Sequence, residues 1–127
     1  MRSHRTDPVA VRLEALGFER TAAVRLSLGG TLLDVPAGST LCREGEAGLE
    51  AFLLLDGEVH VLLDDRVVTL GAGEVVGELA ALDATRVRNA TVVASTDLTV
   101  LVFDVRTFRS LASVAEMHEL LAPARAA

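Results

Sequence analysis

The chain has 127 residues, a formal net charge of -6 and 50% apolar side chains, enough to bury the core of one domain and too little for a second. All 12 basic residues are arginines scattered along the sequence, so there is neither a basic arm nor a lysine stripe to follow a phosphate backbone, and direct nucleic-acid binding is not expected. No apolar run reaches the roughly 18 residues of a membrane span and residues 1–8 are polar, so neither a span nor a leader is expected and the cytoplasm is the expected location.

Asp7-Pro8 places a capping side chain before a proline suited to the first helical turn, and Val9, Leu13 and Leu16 follow at helical spacing. A helix is therefore expected over residues 8–16. A second is expected over residues 20–28, with Ala23, Leu26 and Leu28 available for burial and Gly29-Gly30 to end it. From residue 36 to residue 97 the turn signals PAG, GEAG, DG, DD, GAG, LDATR and STD separate short apolar runs, the rhythm of an all-β barrel or sandwich. In EVHVLLD, Val59, Val61 and Leu63 share one face while Glu58, His60 and Leu62 share the other. LTVLVFD, residues 98–104, is apolar on both faces and suits a strand covered on two sides. Asp56-Gly57, between strand-like halves, reads as a β-hairpin turn. Helical pattern returns after Asp104 in VRTFRSL and SVAEMHELLAPARAA, where Pro123 limits the last helix. The expectation is one domain over residues 1–127, with helices at about 8–28, strands at about 30–104 and C-terminal helices at about 105–122.

The stretch VVGELAALDATRVRNATVV, residues 75–93, breaks this rhythm with functional groups. Gly77 follows a strand-like run and precedes ELAAL, a run that favours a helical turn whose free amides can point at an anion. Arg88 is a permanent cation whose planar fork matches two phosphate oxygens. Glu78, an acceptor when ionised, suits a ribose hydroxyl instead. One ligand satisfies all three: a singly charged phosphate, a free 2'-hydroxyl, and a base resting on apolar strand wall.

At these residues the chain resembles the cyclic nucleotide-binding domains of catabolite activator proteins, protein kinase regulatory subunits and gated channels. The resemblance runs from about residue 33 to residue 111, through VPAGSTLCREGEAGLEAFLLLDGEVHVL, TLGAGEVVGELAAL and RVRNATVVASTDLTVLVFDVRTFRSL. It implies a mainly β fold, an eight-stranded jelly-roll barrel flanked by short N-terminal and C-terminal helices, with a phosphate-binding cassette at about residues 77–91. Glu78 then resembles the glutamate that takes the ribose 2'-hydroxyl, and Arg88 the arginine that pairs with the cyclic phosphate. Backbone amides near Leu79, Ala80, Asn89 and Ala90 would complete the phosphate contacts, and Gly77, Val61 and Val68 complete the candidate ligand-binding set. Val87 stands where many members have proline, and Asn89 where alanine, serine or threonine is common, which leaves cAMP and cGMP both open. Asn89-Ala90-Thr91 sets the register on Arg88 rather than on Arg86. Met117, Leu120 and Leu121 are candidates for the family's apolar lid, or for simple packing on the strands.

Catalysis is not expected. A metal-dependent barrel enzyme needs clustered ligands, whereas His4, His60 and His118 are isolated in sequence, and Ser39 and Ser95 lie in turn signals rather than in a nucleophile elbow. Cys42, alone, excludes an internal disulfide and reads as a small buried hydrophobe. The resemblance implies a regulatory sensor of cAMP or cGMP, with no other cofactor and no metal, that signals through its C-terminal helices to a separate effector, to a second copy or to a further region of a longer protein. The alternative is a degenerate member in which Glu78 and Arg88 form an ordinary salt bridge and the domain is an interaction module without ligand.

Overall fold

The computed structural model describes residues 7–48, 50–77 and 90–112. Helix α1 (Pro8–Ala15) begins with the Asp7 carboxylate accepting from the Val9 and Ala10 amides at 2.9 and 3.3 Å, and Pro8 occupies the first turn, where its missing amide costs nothing. The same carboxylate accepts from the Ser27 hydroxyl, tying the start of α1 to the last turn of α2 (Arg20–Gly29). Ala10 and Leu13 of α1 and Ala22, Ala23 and Leu26 of α2 are buried together, while Leu28 is 79% exposed and takes no part.

Eight strands follow among the described residues: β1 (Thr31–Val35), β2 (Thr40–Cys42), β3 (Glu50–Asp56), β4 (Val59–Leu62), β5 (Val67–Leu70), β6 (Val75–Val76), β7 (Thr91–Ala94) and β8 (Leu98–Asp104). They form two four-stranded antiparallel sheets, ordered β1-β8-β3-β6 and β2-β7-β4-β5. The expected closed jelly-roll barrel is therefore corrected: no ladder joins the two sheets among the described residues, and each keeps two edge strands. The physical reason is spacing. Facing sheets stand about 10 Å apart and meet through side chains, whereas closure needs strands at the roughly 5 Å of a hydrogen-bonded ladder.

The Asp56-Gly57 hairpin is also corrected. β3 pairs with β6 and β8, and β4 with β5 and β7, so the turn carries the chain from one sheet to the other. Gly57 alone takes a positive φ there, +91°, whereas a two-residue hairpin of the expected kind needs it at both central residues. The hairpin lies further on, between β4 and β5, where the Leu63 amide donates to the Arg66 carbonyl at 2.9 Å.

Alternation sorts the side chains into two cores on opposite faces of the β1-β8-β3-β6 sheet. Ala51, Leu53, Leu55, Val75, Leu101 and Phe103 meet α1, α2 and the helix α3 (Val105–Ala112). Phe52, Leu54, Val76, Leu98 and Val100 meet Cys42, Val59, Val61, Leu70, Val92 and Ala94 of the other sheet. Residues 98–104 are thus covered on both sides, as their apolar pattern implied. The Asp104 carboxylate accepts from the Thr107 amide at 2.7 Å and starts α3, and Phe108 packs against Phe103 with ring centroids 6.1 Å apart. Among the described residues no helix is long and apolar enough to cross a membrane.

Candidate functional site

Of the sequence-derived ligand set, Gly77, Ala90, Val61 and Val68 are described, and Glu78, Leu79, Ala80, Arg88 and Asn89 lie outside the described residues. So do Arg86, Val87, Met117, Leu120, Leu121, His4 and His118. Gly77 comes directly after β6, with φ +83°, at the edge of one sheet. Ala90 comes directly before β7, in the middle of the other, and is buried in the core between the sheets. The segment that carries Glu78 and Arg88 in sequence therefore leaves one sheet and returns on the other.

Val61 and Val68 are brought together, as directly opposed residues of β4 and β5. Val61 is 1% exposed and Val68 is half-buried; both belong to the same intersheet core as Ala90. Leu62 and His60, one step away on either side, point outward, because successive side chains of a strand alternate. Cys42 is buried in this core as well, in keeping with its small apolar character.

One contact at this end of the sandwich was not legible in sequence, where Thr91 only marks register. Its Oγ1 accepts from the Glu44 amide at 3.1 Å. Residues separated by 47 positions carry no local signal of such a bond; the strand pairing alone brings them together.

Surface hollows formed by described residues lie elsewhere. One, of about 420 Å³, is lined by Asp34, Asp56 and Asp97; another, of about 360 Å³, by Glu50 and Asp104. Their carboxylates have the wrong sign for a phosphate ligand. No group of three or more metal-ligating side chains occurs among the described residues.

Residues 32–114 match the cyclic nucleotide-binding domain family. The chain belongs to that family. This cyclic nucleotide-binding domain is 40% identical over 79 residues to a cyclic nucleotide-gated potassium channel of Rhizobium etli, a match covering 62% of the chain and 22% of the channel. It is 46% identical over 77 residues to the cAMP-dependent protein kinase regulatory subunit of Schizosaccharomyces pombe, covering 59% of the chain and 18% of that subunit. The domain thus spans about a fifth of these relatives. Among solved structures it is similar to PKAR CBD2 bound to Sp-2Cl-cAMPS, with a TM-score of 0.70 and 25% identity over 87% of this chain and 75% of that one. The cyclic nucleotide-binding domain corresponds to a non-catalytic regulatory module, related in structure to sensors of cyclic nucleotides.

Proposed function

We propose that residues 1–127 act as one sensor domain that binds cAMP or cGMP and passes its occupancy to a partner through the C-terminal helices. The observation that carries this reading is the place of Glu78 and Arg88 in the sequence, between Gly77 just after β6 and Ala90 just before β7, in a chain of this family. Arg88 neutralises the cyclic phosphate, Glu78 accepts from the ribose 2'-hydroxyl, the amides near Leu79, Ala80, Asn89 and Ala90 complete the phosphate contacts, and Gly77 supplies the turn that leads into them. Val61 and Val68 offer apolar wall to the base. The partner is a separate effector protein, a second copy or a further region of a longer chain, and a cytoplasmic location fits a diffusible intracellular messenger.

Removing one partner of a buried charge pair costs about 3–5 kcal/mol, or roughly two to four powers of ten in affinity. Arg88→Ala is therefore expected to reduce nucleotide affinity by that factor while the domain stays folded. Titration calorimetry with both nucleotides checks it, and an unchanged Kd refutes the role of Arg88. Thermal unfolding gives a simpler check, because ligand at a hundred times its Kd adds about 2.7 kcal/mol of stability. A midpoint that moves with neither nucleotide would favour the interaction module without ligand.

A further inference from the structure

The chain passes from the β2 sheet to the β3 sheet at residues 43–49 and returns from β6 to β7 at residues 77–90. Because β2 pairs with β7 and β3 with β6, the strands flanking these two crossings are neighbours. The outward crossing opens with a turn in which the Glu46 amide donates to the Arg43 carbonyl at 3.2 Å and Gly45 takes a φ of +87°. That is the pattern of a type II turn, whose second residue has an amide with no acceptor inside the turn. Here the second residue is Glu44, and its amide donates to Thr91 Oγ1.

Backbone pairing between β2 and β7 is irregular at this point. Its partners are Thr40 with Val93 and Cys42 with Val92, with a register shift between them, and the ladder extends no further toward Ala90. The Thr91 hydroxyl takes over where the backbone bonds stop. On its other side Thr91 is paired with Leu62 of β4, so the first residue of β7 is held from both neighbours.

We propose that Thr91 is a positioning residue for the nucleotide site, its hydroxyl fastening the returning chain, three residues after Arg88, to the outward turn at Glu44. The inference rests on the binding function proposed above and adds a residue to it. Both partners of the bond are solvent-accessible, so water can satisfy the Glu44 amide when the hydroxyl is removed. Fold stability then changes little, and the loss falls on the placement of the residues next to Thr91.

The test measures cAMP and cGMP binding by titration calorimetry in the full chain and in Thr91→Val, Thr91→Ser and Glu44→Pro. Thr91→Val keeps the branched shape without the acceptor. Glu44→Pro removes the donor and puts proline where a type II turn favours it. Each is expected to raise Kd about five- to tenfold, and Thr91→Ser to stay within about twofold of wild type. By NMR, nucleotide should slow exchange of the Glu44 amide in wild type and leave it unchanged in Thr91→Val. Equal Kd values for wild type and Thr91→Val overturn the role of Thr91 and leave the binding function standing. A wild-type chain that binds neither nucleotide overturns both. Should Thr91→Val not fold, Glu44→Pro decides, since an unchanged Kd there equally overturns the proposal.

Discussion

A Cβ added to Gly57 would lie 2.3 Å from the Asp97 carbonyl oxygen and 2.8 Å from both Leu98 Cδ2 and Thr96 Oγ1. Gly57→Ala therefore meets a packed wall as well as an unfavourable φ, and the nearest atom is backbone that cannot turn aside. Gly17 is the natural control: its φ is +104°, yet an added Cβ there would meet nothing within 4 Å. Gly17→Ala is expected to cost about 1–3 kcal/mol from conformation alone, and Gly57→Ala clearly more. Denaturant midpoints with unchanged slopes measure both, and equal losses would mean that the corner yields. At this scale the sequence was informative about residue type and uninformative about neighbours. Gly57 read correctly as a turn residue, but its contacts with residues 96–98 depend on pairings that no local pattern records.

Helices α1 and α3 carry their start signals with them, whereas α2 begins after Glu19 without a side-chain cap. Asp7 before Pro8 caps α1 by bonding amides two and three residues away, so a short window of sequence contains the whole interaction. Asp7→Ala is expected to cost about 0.5–2 kcal/mol. The Ser27 hydroxyl, chiefly, holds the Asp7 carboxyl below its ordinary range; burial opposes this, and the Ala10 and Val9 amides add to the lowering. Asp104 is lowered in the same direction, mainly by the Thr107 amide and hydroxyl. A carboxyl lowered in the folded state stabilises above its unfolded pKa, near about 3.9, and that contribution is lost as pH falls through the folded value. Stability is thus expected to drop below about pH 4, and Asp7→Asn, which keeps a capping oxygen, should flatten that limb in a pH series of thermal midpoints. The strands were less legible. Alternation gave the faces of residues 58–63, while the false hairpin at Asp56-Gly57 arose because a turn signal states that the chain bends without stating which strand it meets next.

Over the whole molecule, one sheet separates two cores, and adjacent residues of β3 serve different ones. Leu53 faces the helices and Leu54 faces the second sheet, both essentially buried. Leu53→Ala and Leu54→Ala are each expected to cost about 2–5 kcal/mol. Because the two cores share a backbone, both variants should still unfold in a single transition, seen as agreement of calorimetric and van't Hoff enthalpies; two separate transitions would mean that the cores are independent. Sequence pattern foretold the two-sided strand at residues 98–104 but not the open edges, since closure depends on which edge strands share hydrogen bonds. Glu78 and Arg88, which lie outside the described residues, stand out for a different reason: a glycine, a carboxylate and a guanidinium at fixed intervals form a chemical pattern visible in a linear string. The pairing order carries a kinetic consequence as well. β4 meets β5, β3 meets β6, β2 meets β7 and β1 meets β8, so the chain is one doubled cord with its bend between residues 62 and 67. Once an inner pair has formed, the next has only a short gap to close, and the entropy of joining residues far apart in sequence is met in small instalments rather than all at once.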